Sequence, residues 1–240
     1  MAGSTGGAGP AAVGIFAKRP RPGEVKTRLA PALGDEGAAA LAEALLDDAV
    51  GRLGDAEGLA TELAYAPPDD GAWFAGRYPG LALRPQRGAG LAERLEAWFA
   101  EVLAGGAPAA VAVGSDSPWT TAGRVRRAIE LLERGADVVL GPDLGGGYYL
   151  VALSAPRPGL FTDITMSTGT MFDETLAWLA ARDLRVELLP RDYDLDEPAD
   201  LDRLRADLAA DPAAARVHRP DVDPAERPRA VEACLQDLPS

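Results

Sequence analysis

Thiol and imidazole are nearly missing from this chain of 240 residues: Cys234 is its only cysteine and His218 its only histidine. One cysteine excludes an intramolecular disulfide, and one of each cannot assemble a thiolate or imidazole zinc site. Both lie in the last part of the chain, which argues against nucleophilic Cys–His chemistry. Any metal must then be held by oxygen ligands, which points to Mg²⁺ or Mn²⁺. Lysine is scarce too. Among 24 basic residues only Lys18 and Lys26 are lysines, and both fall in one short segment. That segment is read as needing compact ammonium charges, which arginine does not replace in kind, rather than as a chance placement on a solvated loop. A surplus of positive charge is missing as well: the formal net charge is −13, so no field exists to attract a nucleic-acid backbone or an anionic membrane. No apolar run reaches membrane-spanning length. The opening MAGSTGGAGPAAV has neither a basic nor an apolar region of the kind a signal peptide needs. The expectation is a cytoplasmic protein.

What is present suits one sizeable core, with 47% hydrophobic residues over a length typical of one α/β domain. Short apolar runs at 11–17 (AAVGIFA), 109–114 (AAVAVG), 137–141 and 148–153 read as buried strands. Further strands are expected at 59–66, 81–85 and 184–190. Helical spacing is found over 35–53, with Leu41, Leu45 and Leu46 on one face, and over 91–103, 121–134 and 170–182. A short helix is expected near Trp73 and a last one over 199–209. Strands alternating with helices predict a three-layer α/β/α sandwich with a mostly parallel sheet. Residues 1–10 are expected to be a flexible N-terminus, 11–210 the catalytic domain, and 211–240 a peripheral C-terminal tail with one short helix near Val231. Trp73, Trp98 and Trp178 are assigned to core packing and His218 to an exposed position. Trp119 suits a pocket wall or the core equally.

In an open parallel sheet, ligands bind beyond the carboxyl ends of the strands. After the first strand comes Lys18-Arg19-Pro-Arg21-Pro-Gly23-Glu-Val-Lys26-Thr27-Arg28, with five cations among fixed-φ prolines and a glycine. It reads as a phosphate cradle, in which backbone N–H groups and cations converge on a polyanion. The GxxxxGK[ST] spacing of a Walker A loop is absent. After 109–114 comes Asp116, placed to hold a hard cation beside a diphosphate. A third segment, DYDLDEPADL (192–201), precedes the last helix. Asp194 and Asp196 are expected to face opposite ways, so that one reaches the metal and the other braces the helix.

Six segments, FAKRPRPGEVKTRLAPALG, PQRGAGLAERL, GSDSPWTT, GPDLGGGYYLVAL, ITMSTGTMF and DYDLDEPADL, resemble in order and spacing the DUF2064 family of GT-A-fold proteins. That group is often labelled glycosyltransferase and is related to molybdenum-cofactor and 2-phospholactate nucleotidyltransferases. The resemblance covers roughly residues 11–208. It implies a nucleotide-diphospho-sugar transferase type of fold. It further implies nucleotide phosphates at Lys18, Gly23, Lys26, Thr27 and Arg28, with Lys26 and Arg28 foremost, and a base-contacting segment at Gln86, Gly90 and Leu91. Asp116 is implied as a metal ligand, with Asp196 or Asp194 as the second. The acceptor side is implied at Gly146, Gly147 and Tyr148, with Ser167, Thr168 and Gly169 nearby. Two departures fall on that side. Gly145 stands where the family has a carboxylate, although Asp143 is close by, and Thr165-Met166 stand where it has Pro-Trp.

The activity expected is nucleotidyl transfer. An NTP joins a phosphorylated or phosphonate small molecule with release of pyrophosphate, and Lys26, Arg28 and Asp116 carry the chemistry. Glycosyl transfer from a nucleotide sugar is the alternative, and a non-catalytic nucleotide-binding relative the third. The partners are a nucleotide and a small acceptor, with the oligomeric state open between monomer and homodimer.

Overall fold

The computed structural model describes residues 9–210, 219 and 221–238. The expectations for the first eight residues and for His218 lie outside the described residues. Each apolar run folds within a few residues of where its pattern places it. The strands are β1 (Ala11–Lys18), β2 (Leu59–Ala66), β3 (Ala82–Pro85), β4 (Ala110–Gly114), β5 (Val138–Pro142), β6 (Tyr148–Leu153) and β7 (Val186–Leu188). They form one sheet in the order β3-β2-β1-β4-β6-β5-β7. β6 runs antiparallel to both β4 and β5, while the other pairings are parallel.

Helices cover both faces. Alternate residues of a strand point to opposite sides: Val13 and Ile15 of β1 pack with Leu46, Ala49 and Leu53 of α1 (Ala30–Leu53) and with Val125, Ala128 and Leu132 of α4 (Ala122–Glu133). α2 (Gly71–Arg77) adds Phe74 to the same cluster. On the other face, Ala112 of β4 and Leu140 of β5 pack with Leu95, Trp98 and Phe99 of α3 (Leu91–Ala104) and with Phe172 and Leu179 of α5 (Met171–Ala180). The Trp98 indole lies so close to β1 that a Cβ on Gly14 would come within 2.6 Å of it, so this crossing needs a glycine. α1 is interrupted at Gly34, whose φ of 71° is open to glycine at little cost; its regular part follows that break.

The C-terminal segment is not a peripheral tail. Its helix α7 (Arg229–Asp237) packs on α1, joined by α6 (Pro198–Ala209), in a third apolar cluster with Leu41, Leu45, Leu201, Leu204 and the fully buried Val231. Asp48 of α1 accepts the N–H groups of Ala230 at 3.0 Å and Val231 at 2.9 Å, capping α7 from another element. Arg52 donates to the carbonyls of Pro118 (2.7 Å) and Glu226 (3.3 Å). The Pro-, Ala- and Arg-rich composition concealed this docking because a few apolar residues, with Val231 at their centre, suffice for it. Among the described residues no helix is long and apolar enough to cross a membrane.

Candidate functional site

β1 and β4 are neighbours, but the chain leaves β1 toward β2 on one side and β4 toward β5 and β6 on the other. Such a reversal opens a crevice at the carboxyl ends of the two strands. Three segments meet there: the loop after β1, the turn after β4, and residues 192–197 leading into α6.

The loop after β1 is anchored by the buried Leu29, whose N–H donates to the Lys26 carbonyl at 2.8 Å. Lys26 has a φ of +47°, an uncommon conformation for a residue with a side chain. Its side chain is only 5% exposed, and Nζ donates to Asp116 Oδ1 at 2.5 Å and to Asp196 Oδ1 at 2.9 Å. Burial opposes the charge of this ammonium, but Asp116 and Asp196 outweigh it and hold its pKa above the ordinary lysine value. The two carboxylates are themselves half exposed.

Asp194 and Asp196 both reach this place, which corrects the expectation that they face opposite ways. Residues two apart in an extended chain share a face, and the segment bends at Leu195, whose N–H donates to the Asp116 carbonyl at 3.0 Å. Neither braces the helix. That role falls to Asp200, which accepts from the N–H of Glu197 (2.9 Å) and Asp196 (3.2 Å). One oxygen of Asp194, Oδ1, is buried without a hydrogen-bond partner. Burial first, then the negative charges of Asp116 and Asp143, push its carboxyl well above the usual range. Three carboxylates, those of Asp116, Asp194 and Asp196, thus surround one ammonium, and Asp143 adds its charge next to Asp194.

Among the described residues no group of three or more carboxylate, histidine or cysteine side chains converges as a metal cage; Asp116 and Asp196 meet as a pair on Lys26, with Asp194 beside them. The donor chemistry nevertheless fits a hard divalent cation. Two carboxylate oxygens already share one cation, and Asp194 Oδ1 beside them is a buried acceptor without a donor.

The five loop cations do not converge on one point. Arg19 (3.5 Å) and Arg21 both pair with the buried Asp70 just after β2, and Arg19 also lies over the Trp73 ring at 5.4 Å. Lys18 and Thr27 are exposed at the two ends of the loop. Arg28 is exposed, 3.5 Å from Glu197. Gly23, at φ 76°, makes the loop's turn.

Gln86 continues the β2–β3 ladder, its backbone N–H donating to Tyr65 (2.8 Å) and its amide to Ala64 (2.7 Å). Gly90 stands at the start of α3 and Leu91 is exposed. These residues share the carboxyl end of the sheet with the Lys26 cluster, two strands from β1.

On the other flank, Asp143 Oδ1 accepts the Gly147 N–H at 3.0 Å and closes the glycine turn. Gly146 (φ 88°) faces Gly169 so tightly that a Cβ would come 2.1 Å from its carbonyl oxygen. This packs the Gly146–Gly147 turn against Gly169, which follows Ser167 (φ 61°) and Thr168 in the chain; the Thr168 hydroxyl donates to the Thr165 carbonyl at 2.9 Å. Burial pushes the Tyr148 phenol up to about 12, so it is uncharged at neutral pH. Asp143 lies in the same turn as Gly145, and its charge is felt by Asp194.

A buried ionic network, which the pattern of the sequence did not reveal, aims the acidic segment. Arg124 of α4 pairs with Asp192 at 2.6 Å, both almost fully buried, and with Asp221 at 2.6 Å. Arg219 also holds Asp192 (3.1 Å) and reaches Asp207 (2.9 Å), with its guanidinium 4.5 Å from the centre of the Trp119 ring. Trp119 is therefore core, not pocket wall: it is buried and donates to the Tyr193 hydroxyl at 3.1 Å. Trp98 is likewise buried, while Trp73 and Trp178 are partly so.

The family model described as "Uncharacterized protein conserved in bacteria (DUF2064)" matches residues 46–168, a span that holds Asp116 but neither Lys26 nor Asp194 and Asp196. A crystal structure from Desulfovibrio desulfuricans G20, provisionally named a nucleotide-diphospho-sugar transferase, is similar at 25% identity with a TM-score of 0.79, covering 95% of this chain and 98% of that one. A 4-diphosphocytidyl-2C-methyl-D-erythritol synthase is similar at 15% identity and TM-score 0.54, over 82% and 97% of the two chains. A cytidylyltransferase from Leptospira borgpetersenii serovar Hardjo-bovis is similar at 9% identity and TM-score 0.53, over 95% and 94%. No curated protein matches the sequence. The fold is the α/β fold of the nucleotide-diphospho-sugar transferases.

Proposed function

The chain belongs to the DUF2064 family, and from that premise we propose that it is a metal-dependent nucleotidyltransferase. It joins a nucleoside triphosphate to a phosphorylated or phosphonate small molecule and releases pyrophosphate. One observation carries the reading: a lysine from the first loop and two carboxylates from separate strand ends meet at the switch point of the sheet. The names of the cytidyl-transferring structures that share the fold point the same way.

In this reaction an acceptor oxygen attacks the α-phosphorus, and the bond from that phosphorus to the β-bridging oxygen breaks. The protein's part is in-line positioning and charge neutralisation. Lys18, Lys26 and Arg28 hold the triphosphate. Asp116 and Asp196, with Asp194 beside them, are the residues that would hold Mg²⁺, which when bound neutralises charge building on the phosphates. Gln86, Gly90 and Leu91 serve the base. Gly146, Gly147, Tyr148, Ser167 and Thr168 serve the acceptor, and the acidic, cysteine-poor chain works in the cytoplasm.

Glycosyl transfer from a nucleotide sugar is the second reading, and one observation favours it. Arg19 and Arg21 are committed to Asp70, which leaves fewer cations for a triphosphate than the loop's composition promises. The test is a screen of the four NTPs with Mg²⁺ and a panel of phosphorylated acceptors for pyrophosphate. Release with any acceptor selects nucleotidyl transfer. Turnover of nucleotide sugars alone selects glycosyl transfer, and nucleotide binding without any turnover defeats both.

A further inference from the structure

Lys26 stands where two roles conflict. The proposed chemistry asks Asp116 and Asp196 to hold a divalent cation and Lys26 to hold phosphate. Yet the Lys26 ammonium bridges those same two carboxylate oxygens, at 2.5 and 2.9 Å, from a side chain almost removed from solvent. A compact ammonium on a flexible stem can occupy such a position and leave it; a forked guanidinium would fit it poorly. The surroundings favour a cation of higher charge, since Asp194 stands beside the pair with its Oδ1 buried and without a donor, and Asp143 adds its charge next to Asp194.

We infer that Lys26 is an exchangeable internal cation: it occupies the Asp116–Asp196 pair until a divalent ion displaces it, and so delivers its ammonium to the nucleotide phosphates only when the metal site fills. This rests on the metal-dependent reading above. The exchange couples the two sites. Metal entering alone must displace a buried ion pair, whereas metal entering with nucleotide gives the displaced ammonium a new anionic partner. Lys26 is thereby a positioning residue for the metal as well as a phosphate ligand. Its left-handed backbone, at φ +47°, holds the side chain across the crevice at the start of this exchange.

The scarcity of lysine makes the exchange readable in the full-length protein. An amine-acylating reagent followed by peptide mass spectrometry reports Lys18 and Lys26 side by side. Lys18 is exposed and serves as the internal reference. Without divalent ions Lys26 is expected to react far more slowly than Lys18. Titrating Mg²⁺ alone should raise the Lys26 rate and leave the Lys18 rate flat.

In parallel, Mn²⁺ affinity without nucleotide is measured by electron paramagnetic resonance for the wild type and for Lys26→Met, which keeps the length and removes the charge. The variant is expected to bind Mn²⁺ more tightly by about 5–150-fold, the usual range of a coupling between sites. Lys26 that stays protected while Mn²⁺ titration shows the site filled overturns the exchange and leaves the metal reading standing. An unchanged affinity in a folded Lys26→Met does the same. Absence of Mn²⁺ binding in both proteins, with and without a nucleoside triphosphate, overturns the metal reading and the exchange together. Should Lys26→Met fail to fold, the wild-type labelling decides alone.

Discussion

Replacing Arg124 by Met tests whether the buried ionic network holds the acidic segment in place. The Arg124 side chain is 1% exposed and that of Asp192 is 2%. Removing the arginine cuts the 2.6 Å contact and also frees Asp221. Losing one partner of a buried ion pair costs about 3–5 kcal/mol, because the other charge stays buried without compensation. Arg219 still reaches Asp192 at 3.1 Å, so the lower end, about 3 kcal/mol, is the figure to expect. For a chain of this size that lowers Tm by about 6–12 °C.

Urea unfolding followed by tryptophan fluorescence should show a reduced midpoint at unchanged slope. Asp192→Asn in the Arg124→Met background should restore part of the loss, since no unpaired charge is left buried. The same single variant should expose Lys26 to acylation, because Asp192 anchors the segment that carries Asp196. A loss below about 1 kcal/mol, the level of a surface pair, or strictly additive effects in the double variant, would refute the reasoning.

Asp116→Ala should abolish turnover, by about 10²-fold or more, together with metal-dependent nucleotide binding in calorimetry with and without EDTA; activity within a fewfold of wild type would show the metal site misplaced. Gly146→Ala puts a Cβ at φ 88° and 2.1 Å from the Gly169 carbonyl; it should cost about 2 kcal/mol or more in chemical denaturation and weaken acceptor binding before nucleotide binding. Burial raises the Asp48 carboxyl above the 3.8 of a free aspartate, against its two backbone hydrogen bonds. The folded protein therefore holds that proton more tightly than the unfolded chain, and this contribution is full below 3.8 and lost as pH rises through the folded value. Asp48→Asn should gain stability relative to wild type as pH rises from 3.5 to 6, read as Tm; a constant difference across that range would contradict the assignment.

The elements and their order could be read from the sequence because each rests on local information. The buried runs of β1 and β4 are apolar on both faces, and the helices carry periodic stripes. The meeting of Lys26 with Asp116 was legible too, since a parallel sheet sends the segments after β1 and β4 to one end. What escaped was set by distant partners. Asp70 lies just after β2, and nothing near Arg19 or Arg21 announces that it will capture them. Arg124 sits beside the inward-facing Val125 on its helix, and only Asp192 and Asp221, far along the chain, give its charge a reason to be buried. Against the expectation of opposite faces, the two-residue spacing of Asp194 and Asp196 and the bend at Leu195 turn both toward Lys26.

The docking of the C-terminal segment bears on how this protein can be handled in the laboratory. Asp221 and Arg219 grip Arg124 and Asp192, and Val231 seals the groove between α1 and α6. A version trimmed after α6, at the point where the parallel-sheet pattern runs out, keeps every residue proposed to touch nucleotide or acceptor. It would nonetheless lose the outer half of the clamp behind Asp194 and Asp196, and an assay on that shorter version would report a slack catalyst and mistake it for an inert one.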